Sequence, residues 1–142
     1  MKLYCNDCIQ AMSNMMGGIV DAVITDPPYN VSRENNFTTM GSACRQGMDF
    51  GEWDKDFDIT AFIPQASRVL KENGNFVIFN AWENLGDIKR MCEAYNIYIK
   101  RCLVLSKSNP APFNRDRMFV NDVEFVLWGV KNSKGKPSKW TF

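Results

Sequence analysis

Residues 20–30 of the chain are Val20-Asp21-Ala22-Val23-Ile24-Thr25-Asp26-Pro27-Pro28-Tyr29-Asn30. The first six of them, together with Ile19, form a short apolar run that is typical of a buried β-strand. Pro27 and Pro28 lack a backbone N–H and cannot continue strand pairing, so the strand is predicted to end at Thr25. The sequence therefore places the carboxylate of Asp26 directly beyond the carboxyl end of a strand.

The Asp-Pro-Pro-Tyr tetrapeptide places acceptors and an aromatic ring together at that strand end. Asp26 accepts hydrogen bonds, and the prolines leave backbone carbonyls without a local N–H partner. An exocyclic amine on a heteroaromatic ring is a poor nucleophile, so an enzyme that alkylates it needs two acceptors for its hydrogens and a flat ring for stacking. Asp26, the Pro27 carbonyl and Tyr29 would supply these groups. The simpler interpretation is a turn that ends the strand.

Helix and strand patterns alternate along the chain. Asp7 is predicted to cap a short helix that follows a strand at 2–5 and buries Met16. A second helix is predicted from Ile59, with Gly74 as its stop. The remaining predicted elements are a strand at 76–79, a helix at 85–95 and strands at 97–105 and 123–130. This order predicts an α/β layered sheet ending in a hairpin, with ligands beyond the carboxyl ends of the strands.

Composition excludes several kinds of protein and of site. With 142 residues, 45% of them hydrophobic, the chain is expected to fold as one globular domain. The absence of histidine excludes Ser-His and Cys-His pairs, an imidazole base and any His-ligated metal. Cys5 and Cys8 form a lone C-x-x-C, so no metal site is predicted. No apolar run approaches the roughly 20 residues of a membrane span and no leader pattern is present, so a cytoplasmic protein is expected.

Charge is unevenly distributed along the chain. Residues 1–99 carry 8 basic and 13 acidic side chains, whereas residues 100–142 carry 9 basic and 3 acidic ones. This asymmetry is typical of a protein with one surface facing nucleic acid, although a basic face also serves solubility alone. Residues 30–57 show little periodicity, and a connection this long is usually functional or disordered.

Residues 20–30 resemble the catalytic motif of the amino-group DNA methyltransferases, which methylate adenine N6 or cytosine N4. The early position of the motif resembles the β group of that family, in which the catalytic strand precedes the target-recognition region and the cofactor loop. The resemblance implies a Rossmann-like, S-adenosylmethionine-dependent methyltransferase sheet, of which residues 1–142 would be a partial DNA methylase domain. The implied catalytic residues are Asp26, Pro27, Pro28 and Tyr29. The implied cofactor-binding residues are Asp26 and, in Asn6-Asp7-Cys8, Asp7 and Cys8.

Later segments resemble the base- and DNA-binding parts of the same family. Lys107-Ser108-Asn109-Pro110-Ala111-Pro112 resembles its Trp-x-Lys-x-Asn-Pro segment, with Leu105 in place of Trp, and residues 124–128 resemble the strand that follows. Residues 45–54 are similar to a DNA-facing loop of bacterial adenine methyltransferases, which implies a flexible, DNA-facing loop at 30–57 and adenine N6 as the target. The candidate DNA- and base-binding residues are Tyr29, Asn30, Lys107, Asn109, Pro110, Arg115 and Arg117. The alternatives are that Lys107 and Asn109 close a hairpin loop and that the arginines are solvated.

The sequence contains no Phe-x-Gly-x-Gly cofactor loop. In the intact family fold the catalytic strand pairs with the strand that leads into that loop, so residues 19–25 would form an apolar sheet edge that recruits partners or aggregates. Three explanations remain open: a fragment of a longer chain, a second polypeptide that completes the cofactor pocket, and a degenerate remnant. A homodimer is a further arrangement.

The predicted function is site-specific methylation of adenine N6 in double-stranded DNA, as in restriction-modification. One alternative is a methyltransferase that acts on cytosine N4 in DNA, or on RNA. A second alternative, from a different class, is an inactive module that binds DNA or a partner subunit. Methylation of a protein glutamine is disfavoured by aspartate at position 26.

Overall fold

The computed structural model describes residues 2–30, 57–110, 119 and 121–132, in which four strands form one mixed sheet. The strands are β1 (Val20–Thr25), β2 (Leu70–Asn80), β3 (Ile97–Ser106) and β4 (Val123–Lys131), in the order β1-β2-β4-β3. β1 and β2 are parallel, whereas β4 is antiparallel to both β2 and β3. The predicted α/β sheet and its C-terminal hairpin are confirmed.

The helices of the described residues are α1 (Cys8–Ser13), α2 (Ile63–Val69) and α3 (Leu85–Ala94), with a 3₁₀ turn at Trp82–Asn84 just before α3. Buried side chains of α2 and α3 join those of the sheet in one core. This core contains Ile59, Phe62, Ile63, Ala66, Leu70, Phe76, Ile78, Ile88, Cys92, Ile97 and Leu127. The helices therefore anchor the sheet through a single apolar cluster. None of the described helices has the length and apolar character needed to span a membrane.

The helix predicted to run from Ile59 to Gly74 is shorter than expected. It begins at Ile63 and ends at Val69, after which the chain enters β2 directly. The amides of Gly18 and Ile19 donate to the carbonyls of its last two residues, at 3.0 and 2.9 Å. The Lys131 ammonium donates to two further carbonyls at this end, at 2.6 and 2.8 Å. Hydrogen bonds from distant segments, rather than Gly74, satisfy the end of the helix.

The N-terminal segment differs in part from the prediction. Asp7 caps α1 as expected, since the Gln10 N–H donates to Asp7 Oδ1 at 2.9 Å. Residues 2–5 form no strand and are exposed, so this prediction was wrong. A strand needs a hydrogen-bonded neighbour. Within the described residues β1 pairs with β2, and residues 2–5 pair with no strand. Met16 lies beyond the end of α1 and is exposed, so its predicted burial was also wrong.

β1 lies at one edge of the sheet. It is paired with β2 and with no other strand of the described ranges. Ile24, near its carboxyl end, is 70% exposed. The apolar pattern of a buried strand was therefore misleading, because β2 is the only neighbour of β1 among the described strands, and within these strands β1 forms the expected apolar edge.

Candidate active site

The carboxyl ends of β1 and β2 lie at the same edge of the sheet, because these strands are parallel and Thr25 pairs with Ile78. β4 begins at this edge, where Phe125 pairs with Asn80, and β3 ends beside it. The segments that leave β1, β2 and β3 therefore converge with the segment that enters β4. Ligands of α/β sheets bind at such an edge. We call the following residues the strand-end site: Asp26, Tyr29, Asn84, Lys107 and Glu124.

Tyr29 is bound to Asp26 within the Asp-Pro-Pro-Tyr turn. The phenol O–H of Tyr29 donates a 2.7 Å hydrogen bond to Asp26 Oδ1. Partial burial of the phenol raises the pKa of Tyr29 above its ordinary value, and the hydrogen bond to Asp26 and the negative charges of Asp26 and Glu124 raise it further. Each of these factors disfavours the phenolate. At neutral pH the phenol is therefore a hydrogen-bond donor that fixes one oxygen of the Asp26 carboxylate.

The main chain after this turn is held by two asparagines. Asn84 Nδ2, at the end of the 3₁₀ turn, donates to the Tyr29 carbonyl at 2.7 Å. Asn30 Nδ2 donates to the Phe57 carbonyl at 2.5 Å, and Asn30 Oδ1 accepts from the Phe57 N–H at 3.0 Å. Asn30 has a φ of 54°, a left-handed conformation that asparagine tolerates better than most residues. The ends of the 30–57 connection are thus joined directly beside Tyr29.

A salt bridge from the hairpin completes the site. Lys107 Nζ lies 3.0 Å from Glu124 Oε1, and the Lys107 N–H donates to the Asp122 carbonyl at 2.6 Å. Because Glu124 acts electrostatically on the phenol of Tyr29, this pair lies close to the Asp-Pro-Pro-Tyr turn. Asn109 is exposed and Pro110 is half-buried on the segment that leaves β3. Lys107 therefore lies just beyond the end of β3 with its charge already paired to Glu124.

Asp7 and Cys8 lie at the N-terminal end of α1, where both are exposed. Asp7 Oδ1 serves as the helix cap. Although Cys8 is exposed as a residue, neighbouring atoms desolvate its thiol in part, and this desolvation together with the charge of Asp7 raises the pKa of the thiol. Among the described residues, Asp7 is hydrogen-bonded to α1 and to Asn6 and not to the strand-end site. No cluster of three or more potential metal ligands occurs in the ranges that the structure describes.

A groove of about 590 Å³ opens next to the asparagines. Its lining includes Asn30, Asp58, Thr60, Asn84, Asp87 and Arg90. Ligand pockets commonly have volumes of this order.

The sequence did not predict Asn84 or Glu124 as site residues, because the patterns around them are those of an ordinary helix and an ordinary strand. Arg115, Arg117 and residues 31–56 of the predicted DNA-facing loop at 30–57 lie outside the described residues.

Comparison with known proteins identifies the family. A family model described as DNA methylase matches residues 20–142 of the chain. The chain belongs to the DNA methylase family. Type II methyltransferase M2.MboI of Moraxella bovis is 30% identical over 140 residues, which are 94% of this methylase chain and 50% of the relative. Type II methyltransferase M.HinfI of Haemophilus influenzae is 27% identical over 143 residues, which are 96% of this chain and 39% of the relative. The methylase chain thus spans half or less of the length of these relatives.

Solved structures support the same assignment at the level of the fold. The complex of M1.HpyAVI with SAM matches this methylase chain with a TM-score of 0.68 and 26% identity, over 99% of this chain and 60% of that one. The cytosine-N4-specific PvuII DNA methyltransferase matches with a TM-score of 0.60 and 16% identity, over 91% of this chain and 48% of that one. The mixed sheet of this DNA methylase is therefore part of a Rossmann-like methyltransferase sheet.

Proposed function

We propose that the chain carries the catalytic half of an enzyme that transfers a methyl group from S-adenosylmethionine to adenine N6 of a base flipped out of double-stranded DNA. The observation that carries this proposal is the Asp26–Tyr29 pair at the carboxyl end of β1, in a member of the DNA methylase family. The solved complex of the related M1.HpyAVI with SAM supports the choice of cofactor. Adenine is favoured by the resemblance of residues 45–54, and cytosine N4 is the alternative target.

In this mechanism the Asp26 carboxylate and the Pro27 carbonyl accept the two hydrogens of the target amine. Pro27 is buried, which restricts the position of its carbonyl. Attack on the methyl group would draw the nitrogen lone pair out of the ring conjugation while the bond from that methyl to the sulfonium sulfur breaks. The amine hydrogens would become more acidic, and one of them would be lost as a proton. Acceptors bound to them therefore strengthen in the transition state, which is the condition for catalysis. The Tyr29 ring stacks on the flipped base, and its O–H orients Asp26.

The residues present fit part of the cofactor. When bound, S-adenosylmethionine supplies the methyl group as an electrophile. The exposed carboxylates of Asp7 and Asp26 are acceptors for its amino and hydroxyl groups and complement its positive sulfonium. Cys8 adjoins Asp7 at the start of α1 and would line the same contact. The sequence has no Gly-rich cofactor loop, so we propose that further chain or a second polypeptide completes the pocket.

The DNA is proposed to approach across the carboxyl edge of the sheet. Lys107, Asn109 and Pro110 lie on the segment that leaves β3 at that edge, and the basic residues of the C-terminal segment would supply attraction for phosphates. Arg115 and Arg117 belong to that segment. Asn30 would act by shaping the turn, because its carboxamide already binds Phe57. We further propose a cytoplasmic location and, from the similarity to Type II methyltransferases, a role in restriction-modification.

The test is transfer of labelled methyl from S-adenosylmethionine to unmethylated genomic DNA, by the 142-residue chain alone and with extract from its source organism. The parent chain is compared with Asp26→Ala and with the control Asp21→Ala. Asp21 is an exposed carboxylate on β1, the strand that leads to Asp26, and it is paired with Lys71. Digestion of the product to nucleosides identifies the methylated base. We expect N6-methyladenine, its loss with Asp26→Ala and its retention with Asp21→Ala.

The other outcomes decide between the alternatives. N4-methylcytosine in the product would replace adenine by cytosine as the target, and label in RNA alone would move the activity to RNA. Undiminished transfer by Asp26→Ala would contradict the proposed site. A folded chain that binds DNA but transfers no methyl under either condition would favour the inactive binding module.

A further inference from the structure

Asn80 and Asn84 form a carboxamide pair behind the Asp-Pro-Pro-Tyr turn. Asn84 Nδ2 is 2.7 Å from the Tyr29 carbonyl and 2.7 Å from Asn80 Oδ1. Asn80 is 1% exposed and is the last residue of β2, and Asn84 precedes α3 by one residue. The pair therefore connects the rigid end of a central strand with the backbone of the tyrosine, across 55 positions of the chain.

The backbone determines the orientation of both carboxamides. The Ala81 N–H can only donate, and it lies 3.0 Å from Asn80 Oδ1. Asn80 thus presents its oxygen to Ala81 and Asn84, so the group that Asn84 turns toward it must be the amide N–H₂. The same N–H₂ has a second hydrogen for the Tyr29 carbonyl, and one donor group bridges two acceptors.

The orientation of the Asn80 carboxamide leaves its amide nitrogen in an unfavourable position. Its Nδ2 is buried and has no hydrogen-bond partner among the described residues. A buried donor without a partner is unfavourable, and a serine or an aliphatic residue at this position would avoid it. The oxygen on the other arm of the same carboxamide, however, accepts two hydrogen bonds. A carboxamide at this position therefore serves to hold Asn84.

We propose that Asn84 is a positioning residue for Tyr29, and that Asn80 holds its donor group toward the Tyr29 carbonyl. The inference rests on the proposed function, in which the Tyr29 ring stacks on the target base. The Tyr29 backbone is fixed through Asn84, and its phenol is fixed through Asp26, so the ring is restrained at both ends. Loss of the backbone contact would let the ring move away from the stacking position and release Asp26.

The first test needs no enzymatic activity. The full chain is prepared with its four tyrosines carbon-13 labelled on the ring, and Tyr29→Phe identifies the Tyr29 signal. Asn84→Ala should shift or broaden that signal and leave the signals of Tyr95 and Tyr98 in place. The matched control is Glu83→Gln, an exposed neighbour in the same 3₁₀ turn, which should change none of them. An unmoved Tyr29 signal overturns the proposal. Equal movement of Tyr95 also overturns it, because Tyr95 follows α3 and would report repacking of that helix.

The second test uses whichever preparation transfers methyl to DNA, the chain alone or the chain with extract. Asn84→Asp keeps the size of the side chain but replaces its N–H₂ donor with an acceptor that faces the Tyr29 carbonyl and Asn80 Oδ1. It should lower kcat by about 10- to 100-fold, because the Tyr29 ring would be misplaced relative to the target base. The KM for S-adenosylmethionine should remain within about twofold, and Asn84→Gln, which keeps the donor, should retain more activity than Asn84→Asp. A rise in the KM for S-adenosylmethionine at unchanged kcat would overturn the proposal. If no preparation transfers methyl, the proposed function fails while the tyrosine signals still decide the role of Asn84.

Discussion

The phenol of Tyr29 and the carboxylate of Asp26 form a 2.7 Å hydrogen bond within a single turn at the end of β1. The tyrosine of this motif is therefore more than a flat ring. Its O–H holds one carboxylate oxygen of the residue proposed to bind the target amine. A tyrosine phenol is protonated at neutral pH, and partial burial together with the hydrogen bond to Asp26 raises the pKa of Tyr29 further. The Tyr29 side chain is thus proposed both to stack on the target base and to orient the Asp26 carboxylate.

Substitution of Tyr29 separates these two roles. Tyr29→Phe keeps the ring but removes the bond to Asp26, and a hydrogen bond to a charged group contributes roughly 1.5–3 kcal/mol. We expect Tyr29→Phe to lower kcat by about 10-fold, and Tyr29→Ala to lower it by about 10-fold more, because base stacking contributes roughly 1–3 kcal/mol. Single-turnover methyl transfer measures both variants. Full activity of Tyr29→Phe would mean that the hydroxyl does not orient Asp26.

Lys131 is predicted to stabilise the fold by closing the end of α2. Its ammonium donates to the carbonyls of Ser67 and Leu70 at 2.6 and 2.8 Å. Lys131→Met keeps the aliphatic stem and leaves both carbonyls without this partner, which should lower the free energy of unfolding by about 1–3 kcal/mol. Urea denaturation measures the loss. The control is Lys71→Met, which removes an exposed ion pair with Asp21 and should cost no more than about 1 kcal/mol. Equal losses would contradict the assignment.

The buried thiol of Cys92 is expected to lower the free energy of unfolding at alkaline pH. The side chain is fully buried, and this burial, with the charge of Glu93, raises the pKa of its thiol from 9.0 to about 12. Because the folded pKa lies above the unfolded one, the stabilisation is complete below pH 9 and is lost as the pH rises toward about 12. The loss attributable to this thiol approaches about 1.4 kcal/mol per pH unit.

The comparison of Cys92→Ala with the parent isolates that thiol. The variant should be less stable at pH 7 by about 1 kcal/mol, through lost apolar burial, but its free energy of unfolding should fall less steeply above pH 9. Cys102→Ala, which changes an exposed thiol, should follow the parent curve. Parallel curves for Cys92→Ala and the parent would exclude a buried, neutral thiol at this position.

Local patterns were sufficient to predict some parts of this molecule. The prolines after Thr25 end β1, and the Asp7 carboxylate caps α1, because each effect acts within a few residues. The Asn84–Tyr29 contact spans 55 positions, and no local pattern in the sequence indicates such a contact. The strand predicted at 2–5 failed for the same reason, since a strand depends on a neighbour that its own residues do not specify.

The exposed edge of β1 predicts association of the chain with itself. Ile24 is 70% exposed, and β1 is hydrogen-bonded to β2 alone among the described strands. An apolar edge of this kind recruits other strands, and lysine on an edge strand opposes such pairing. Ile24→Lys should therefore lower the average mass observed by sedimentation over a series of protein concentrations. Leu3→Lys is the control, because Leu3 is 84% exposed but lies outside the sheet. If both variants associate like the parent chain, the β1 edge is not the contact surface.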